Sequence, residues 1–320
     1  MGQFISLLEK PKLYKPSFVA AWPGMGRVAV LAIGYLKERL GAKLLGEVVP
    51  TDFFAPTGAI VTKQMVVPPE PPKNEFFYYK APTPGRDILF FIGSSQPIPH
   101  LEYNFATEIL KVAESFNVKA VYTAAAAPSD MHFKDVPRVF AVPNHRDLLK
   151  KVMEYKIHYM GEGNIAGLNG LLVSVAAEKK IQGMCLLGEI PFFTAQVEYP
   201  RAALMVLSVL TEMLGIKIDM MDLELYADQK DKEIEPLAAL LTRGEHKAEE
   251  SLSENGIVPQ HEEKVSKSVR LKIEKLFRQA EFDRTYKSKM KLKEELDKWE
   301  LFEEYLDRFL DLFKKPHGES

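Results

Sequence analysis

The chain has 320 residues, too long for one average domain but suited to a large α/β domain with an appendage. Hydrophobic residues make up 46% and aromatic residues 10%, enough for a full-size core and against disorder along the whole length. Lys and Arg number 42 against 44 Asp and Glu, and the net charge of −2 excludes a global nucleic-acid or membrane signature.

The first third alternates short apolar runs with helical periodicity. Phe18–Trp22 is an apolar strand closed by Pro23-Gly-Met-Gly26. Val28, Leu31, Ala32, Tyr35, Leu36 and Leu40 then fall at helical spacing. Leu44–Val49 reads as a second strand. Three β-type segments follow without a helix between them, Ala59–Val67, Glu75–Lys80 and Asp87–Ile92, each bounded by Pro or Gly.

Leu101–Phe116 is predicted helical, with strand Val118–Ala124 behind it. Strand Arg138–Val142, helix His145–Met153, helix Leu168–Glu178, strand Gln182–Gly188 and helix Arg201–Leu214 complete the series. This order predicts a largely parallel sheet with helices on both faces, antiparallel in part: a three-layer mixed α/β sandwich. The single cysteine, Cys185, excludes an internal disulfide and suits a reducing compartment. It lies within apolar Gly183–Leu187 and is expected as a buried strand residue. The N-terminal Met1-Gly-Gln-Phe4 lacks a basic region before an apolar stretch, and no apolar run nears the roughly 20 residues that span a bilayer. A cytoplasmic protein without membrane association is expected.

From Gly244 to Gly256 the sequence turns polar and reads as a flexible linker. Beyond it, Val269, Ile273, Leu276 and Ala280 step by four, three and four. Leu292, Leu296, Trp299, Phe302, Leu306 and Phe309 repeat the stripe, so two amphipathic helices are implied. The organisation expected is an α/β domain over 1–243, a linker over 244–264 and a helical tail over 265–320. The tail's stripe can pack on its own domain, on a second copy, or on a foreign partner; those six residues are the candidate partner-binding set. The basic residues Arg284, Lys287, Lys289, Lys291 and Lys293 are interleaved with Glu281, Asp283, Glu294 and Glu295, which favours a solvated helix face over an RNA contact.

Two glycine-rich loops are the places where chemistry could sit. Gly24-Met-Gly26-Arg-Val-Ala29 matches G-x-G-x-x-A formally, with Glu47 about 20 residues on. Turn geometry alone, an anion or nucleotide phosphate, and a dinucleotide all fit it; a P-loop is excluded, because no Lys-Ser/Thr follows. Gly161–Gly170 opens a helix, where Asn164 and Asn169 could cap it or hydrogen-bond a ligand. Glu162, Glu189 and Glu198 are carboxylates near strand ends, with surface acids the default reading. His100, His132, His145 and His158 form no metal-binding spacing, and no G-x-S-x-G elbow appears. No catalytic residue, metal or cofactor is therefore assigned.

At these loops the chain resembles a known family. Trp22-Pro-Gly-Met-Gly26 before a helix and Asp52-Phe-Phe54 resemble the opening of the proteasome-assembly-chaperone family. Leu89-Phe-Phe-Ile-Gly-Ser-Ser-Gln-Pro97 resembles its central strand, Gly161–Leu172 its glycine–leucine–leucine loop and helix, and Leu187-Gly-Glu-Ile-Pro191 its late strand. The similarity runs from about residue 15 to about residue 230, with four motifs in family order. It implies a purine nucleoside phosphorylase/hydrolase-like sheet flanked by helices. It also implies a non-enzymatic, ATP-independent assembly chaperone or scaffold, acting as a homo-oligomer on proteasome subunits or another protein. Some relatives dock through a C-terminal hydrophobic–tyrosine–any tripeptide, whereas this chain ends Gly318-Glu-Ser320. The competing reading is a nucleotide- or anion-binding enzyme with a phosphorylase-like pocket. Gly24, Gly26 and Arg27 would hold the anion there, and Glu162, Asn164 or Glu189 would contact the rest of the ligand.

Overall fold

A computed structural model of the chain describes residues 4–49, 53–54, 58–82, 86–155, 157–254, 272–277, 280, 286–299, 301, 305, 308–309 and 312. By contacts the chain divides into two compact units, Met1–His246 and Lys247–Ser320.

The first unit is built on a nine-stranded mixed sheet. Its strands are β1 (Ile5–Leu7), β2 (Ser17–Ala21), β3 (Lys43–Val48), β6 (Asn74–Tyr79), β7 (Ile88–Gly93), β8 (Ala120–Ser129), β9 (Val139–Pro143), β10 (His158–Tyr159) and β11 (Gly183–Pro191). They lie in the order β1-β3-β6-β7-β2-β8-β11-β9-β10. The four central strands β7, β2, β8 and β11 run parallel, with Val19 opposite both Phe90 and Tyr122. β1, β3 and β6 continue the sheet antiparallel on one side, and β9 is antiparallel to β11 on the other. Continuous apolar sequence marks the parallel strands because both of their faces are covered.

Alternation along β2 sorts its side chains between two cores. Val19 and Ala21 face α1 (Val28–Arg39) and α5 (Pro200–Leu214), with Ile33, Leu36, Val206 and Leu210 in the same cluster. Phe18 and Ala20 face α2 (Glu102–Ser115) and α4 (Leu168–Glu178), with Phe105, Ile109, Leu172 and Val175. This makes three layers of mixed α/β type, as the element order predicts. A short helix α3 (Arg146–Val152) precedes β10.

Three features differ from the sequence reading. The segment over 59–67 is a separate two-stranded hairpin, β4 (Ile60–Thr62) and β5 (Met65–Val67), reversed at Lys63 and Gln64. The edge strand β1 has only three residues, too few for a periodic signal. Helix α6 (Met221–Glu254) takes in 244–254, polar residues that composition reads as linker but that are rich in the helix former Glu. Cys185 is buried in β11, and burial pushes its thiol up to about 12, so it stays protonated and inert. Among the described residues no helix is long and apolar enough to cross a membrane.

In the second unit, the described residues include α7 (Tyr286–Lys298). Ile273, Leu276, Phe277, Ala280, Leu292, Leu296, Leu301 and Phe309 form its core.

Candidate functional site

Each central parallel strand ends on the same edge of the sheet. In open α/β sheets that carboxyl edge is where ligands and partners meet the fold. Trp22–Arg27 follows β2, Gly93–Gln96 follows β7, Ser129 ends β8, and Pro191–Tyr199 links β11 to α5.

The first loop turns through Gly26 at φ 61° and Arg27 at φ 51°, the left-handed region. A Cβ on Gly26 would sit 3.3 Å from Val28 and 3.5 Å from Ile190 and Tyr199, a close fit, and the positive φ is what favours glycine there. Three of the loop's amides are engaged. Gly26 N donates to Ala195 O (3.1 Å), Arg27 N to Gly24 O (3.0 Å) and Val28 N to Met25 O, while Gly26 O accepts from Tyr199 N (2.9 Å). An anion at this helix start would have to compete with these bonds for the amides of Gly26, Arg27 and Val28.

The second loop is bolted to the first. Asn169 Oδ1 accepts from Trp22 N and its Nδ2 donates to Trp22 O, both at 3.0 Å, with all these groups buried. Thr123 Oγ1 donates to Asn169 O. Gln96 joins in from β7: its Nε2 donates to Pro23 O (2.9 Å) and its Oε1 accepts from Leu168 N (3.1 Å) at the start of α4. The side chain of Asn169 therefore neither caps its helix nor faces a ligand. It clamps the main chain of Trp22.

Among the described residues no hydrogen bond or ion pair joins the first-loop candidates to Glu162, Asn164 or Glu189. Gly24 lies against Asn169, where a Cβ would meet Nδ2 at 3.8 Å. The side chain of Arg27 pairs with Glu198 at 2.9 Å, and Glu198 in turn accepts from Tyr226 on α6, raising the Tyr226 phenol above its ordinary range. Glu162 and Asn164 lie on an exposed stretch, and among the described residues no hydrogen bond or ion pair joins them to the first loop. Glu189 is 2% exposed. It accepts from Arg138 Nε (2.8 Å), Nη2 (2.5 Å) and main-chain N (3.1 Å), and from Ser129 Oγ (2.8 Å). Arg138 holds that carboxylate down at about 2, so it stays ionised and does not exchange protons near neutrality. Among the described residues no group of three His, Cys, Asp or Glu could hold a metal.

This edge offers a mixed surface, with three apolar side chains beside exposed Arg27, Arg138 and Gln196. Met25, Phe192 and Val197 are exposed around the laced loops. A cavity of about 820 Å³ opens instead at the opposite, amino edge, among Leu40, Tyr79, Arg86, Glu212, Gly215 and Met220.

Of the candidate partner residues in the tail, Leu292, Leu296 and Phe309 are buried in the second unit's own core. Trp299 is half-buried, and its Nε1 donates to Glu295 (3.0 Å). Phe302 and Leu306 lie outside the described residues. Sequence reasoning missed Gln96, the clamp role of Asn169 and the Arg138–Glu189 pair, whose partners are 51 to 147 positions apart.

Comparison with known proteins places the chain. The PAC2 family model matches residues 18–238. An uncharacterised protein of Methanocaldococcus jannaschii is 28% identical over 217 residues, 67% of this chain and 80% of its own length. Among solved structures, PbaB of Pyrococcus furiosus, described as an archaeal proteasome activator, matches with a TM-score of 0.63 and 27% identity, over 73% of this chain and 98% of that one. PbaA of the same organism, described as an archaeal homolog of proteasome-assembly chaperone, matches with a TM-score of 0.57 and 23% identity, over 75% and 99%.

Proposed function

The chain belongs to the PAC2 family, the proteasome-assembly-chaperone family that its motifs resemble, and from that membership we propose that it is a non-enzymatic, ATP-independent assembly chaperone or scaffold. It acts as a homo-oligomer in the cytoplasm and takes proteasome subunits as its partners. The likeness to PbaB supports the partner class.

One observation carries the reading. The glycine loops at the carboxyl edge are closed on each other through Asn169 and Gln96, and the surface around them presents Met25, Phe192 and Val197. Methionine and aromatic side chains are enriched where proteins meet proteins, and an adaptable Met beside a large Phe suits a protein surface better than a small polar ligand. The bonded amides of Gly26, Arg27 and Val28 and the ionised, fully bonded Glu189 support this reading over turnover at this edge.

A thermal-shift series separates this from a phosphorylase-like enzyme. Ligand binding to the folded state raises the melting temperature by mass action. With millimolar phosphate, ATP and nucleosides the melting temperature is expected to stay where it is. A rise that Arg27→Ala abolishes would overturn the proposal in favour of the anion site.

A further inference from the structure

The β4–β5 hairpin forms a sheet of its own. Its strands pair with each other and with no strand of the main sheet among the described residues. The register sets Val61 opposite Val66 on one face, and Ile60 opposite Val67 and Thr62 opposite Met65 on the other. Both faces are therefore apolar. Ile60, Val61, Met65 and Val66 are 47%, 70%, 68% and 72% exposed, a concentration of bare apolar surface.

Among the described residues no third strand pairs with the hairpin. Two three-residue strands are marginal in water, and stability normally needs a third strand or a packed face. The turn adds strain, because Lys63 and Gln64 both take positive φ (50° and 65°) where Asn-Gly is the preferred pair. Exposed strand edges are ordinarily guarded by charge, yet Lys63 is the only charged residue between Gly58 and Pro69, and it sits at the turn.

We propose that this hairpin is the arm through which copies of the chain associate, two arms burying their apolar faces and free edges against each other. The inference rests on the homo-oligomer reading above and names its contact. A second copy is the occupant for two reasons. An arm without strand charges offers no complementarity to an acidic or basic surface, whereas a copy of itself matches it in chemistry. A two-fold pairing of two such hairpins is self-complementary and yields the four strands that one hairpin lacks. Eight residues are about a third of the 20–30 a side in a standard interface, so the arm works within a larger contact between copies.

The test is sedimentation velocity of the full chain over a dilution series, beside the double variant Val61→Lys/Val66→Lys. Both positions are exposed, so circular dichroism should match the wild type. An oligomeric wild type whose dissociation midpoint rises more than about tenfold in the variant supports the inference. A variant that associates like an oligomeric wild type overturns the arm and leaves the self-association reading standing. A wild type that is monomeric at every concentration removes that reading, and the arm with it. As a second measurement, Val61→Cys and Val66→Cys chains under mild oxidation should form covalent dimers without interference from buried Cys185; failure of both to cross-link in an oligomeric protein overturns the arm.

Discussion

Replacing Asn169 by alanine strands two main-chain groups in the interior. Trp22 N and O are each bonded to that one side chain at 3.0 Å, and Trp22 is fully buried, so water cannot take the vacated positions. An unsatisfied buried donor or acceptor costs about 1–3 kcal/mol, so the pair together costs roughly 2–6 kcal/mol. Against a typical total of about 5–15 kcal/mol this is a large fraction. For a unit of this size it corresponds to a fall in melting temperature of roughly 5–20 °C. The chain offers a convenient reporter, because one of its two tryptophans, Trp22, sits in the first unit and the other, Trp299, in the second. In a Trp299→Phe background, thermal unfolding followed by tryptophan fluorescence reports the first unit alone, from a ring packed on Phe91 and Phe105. Asn164→Ala, on an exposed stretch, is the control and should change stability by less than about 0.5 kcal/mol. Should Asn169→Ala melt within 2 °C or so of that control, the clamp does not hold the loops together and the reasoning fails.

Gly93→Ala should destabilise by about 1–3 kcal/mol or more, since the new Cβ would lie 2.3 Å from Trp22 Cδ1 in a packed site; calorimetry checks it, and a neutral result would show that the indole can move aside. Glu189→Gln should lower stability at neutral pH. Its carboxylate is held at about 2 against an ordinary 4.5, so its stabilisation is complete above the ordinary range and fades as pH falls toward 2. The gap between wild type and variant in urea midpoint should therefore narrow from pH 7 to pH 3, and a constant gap would contradict the ion pair. Cys185, 1% exposed with its thiol up at about 12, should react with a thiol reagent only as the chain unfolds; rapid labelling of the native protein would show the strand to be open.

The parallel centre of the sheet was legible because β2, β7, β8 and β11 are continuous apolar runs separated by helical periodicity. The glycine loops were legible as sharp turns for the same local reason. What those loops touch was not, because Trp22 meets a residue 147 positions away and Pro23 one 73 away, and no spacing rule reaches that far. The hairpin was read as one segment because Lys63-Gln64 carries no turn signature, although its backbone adopts one. The tail's stripe was legible as amphipathic, but periodicity does not tell a face that meets a partner from one that fills its own core. Leu292 and Leu296 do the latter.

The carboxyl-edge face is proposed to carry a protein partner and not a substrate. Native mass spectrometry of the full chain, purified gently from its own cells, puts this to the test beside the variant Met25→Asp/Phe192→Asp. A defined complex with proteasome subunits is expected, which the variant loses while its melting temperature holds. A partner-free protein carrying a stoichiometric small-molecule mass would contradict it.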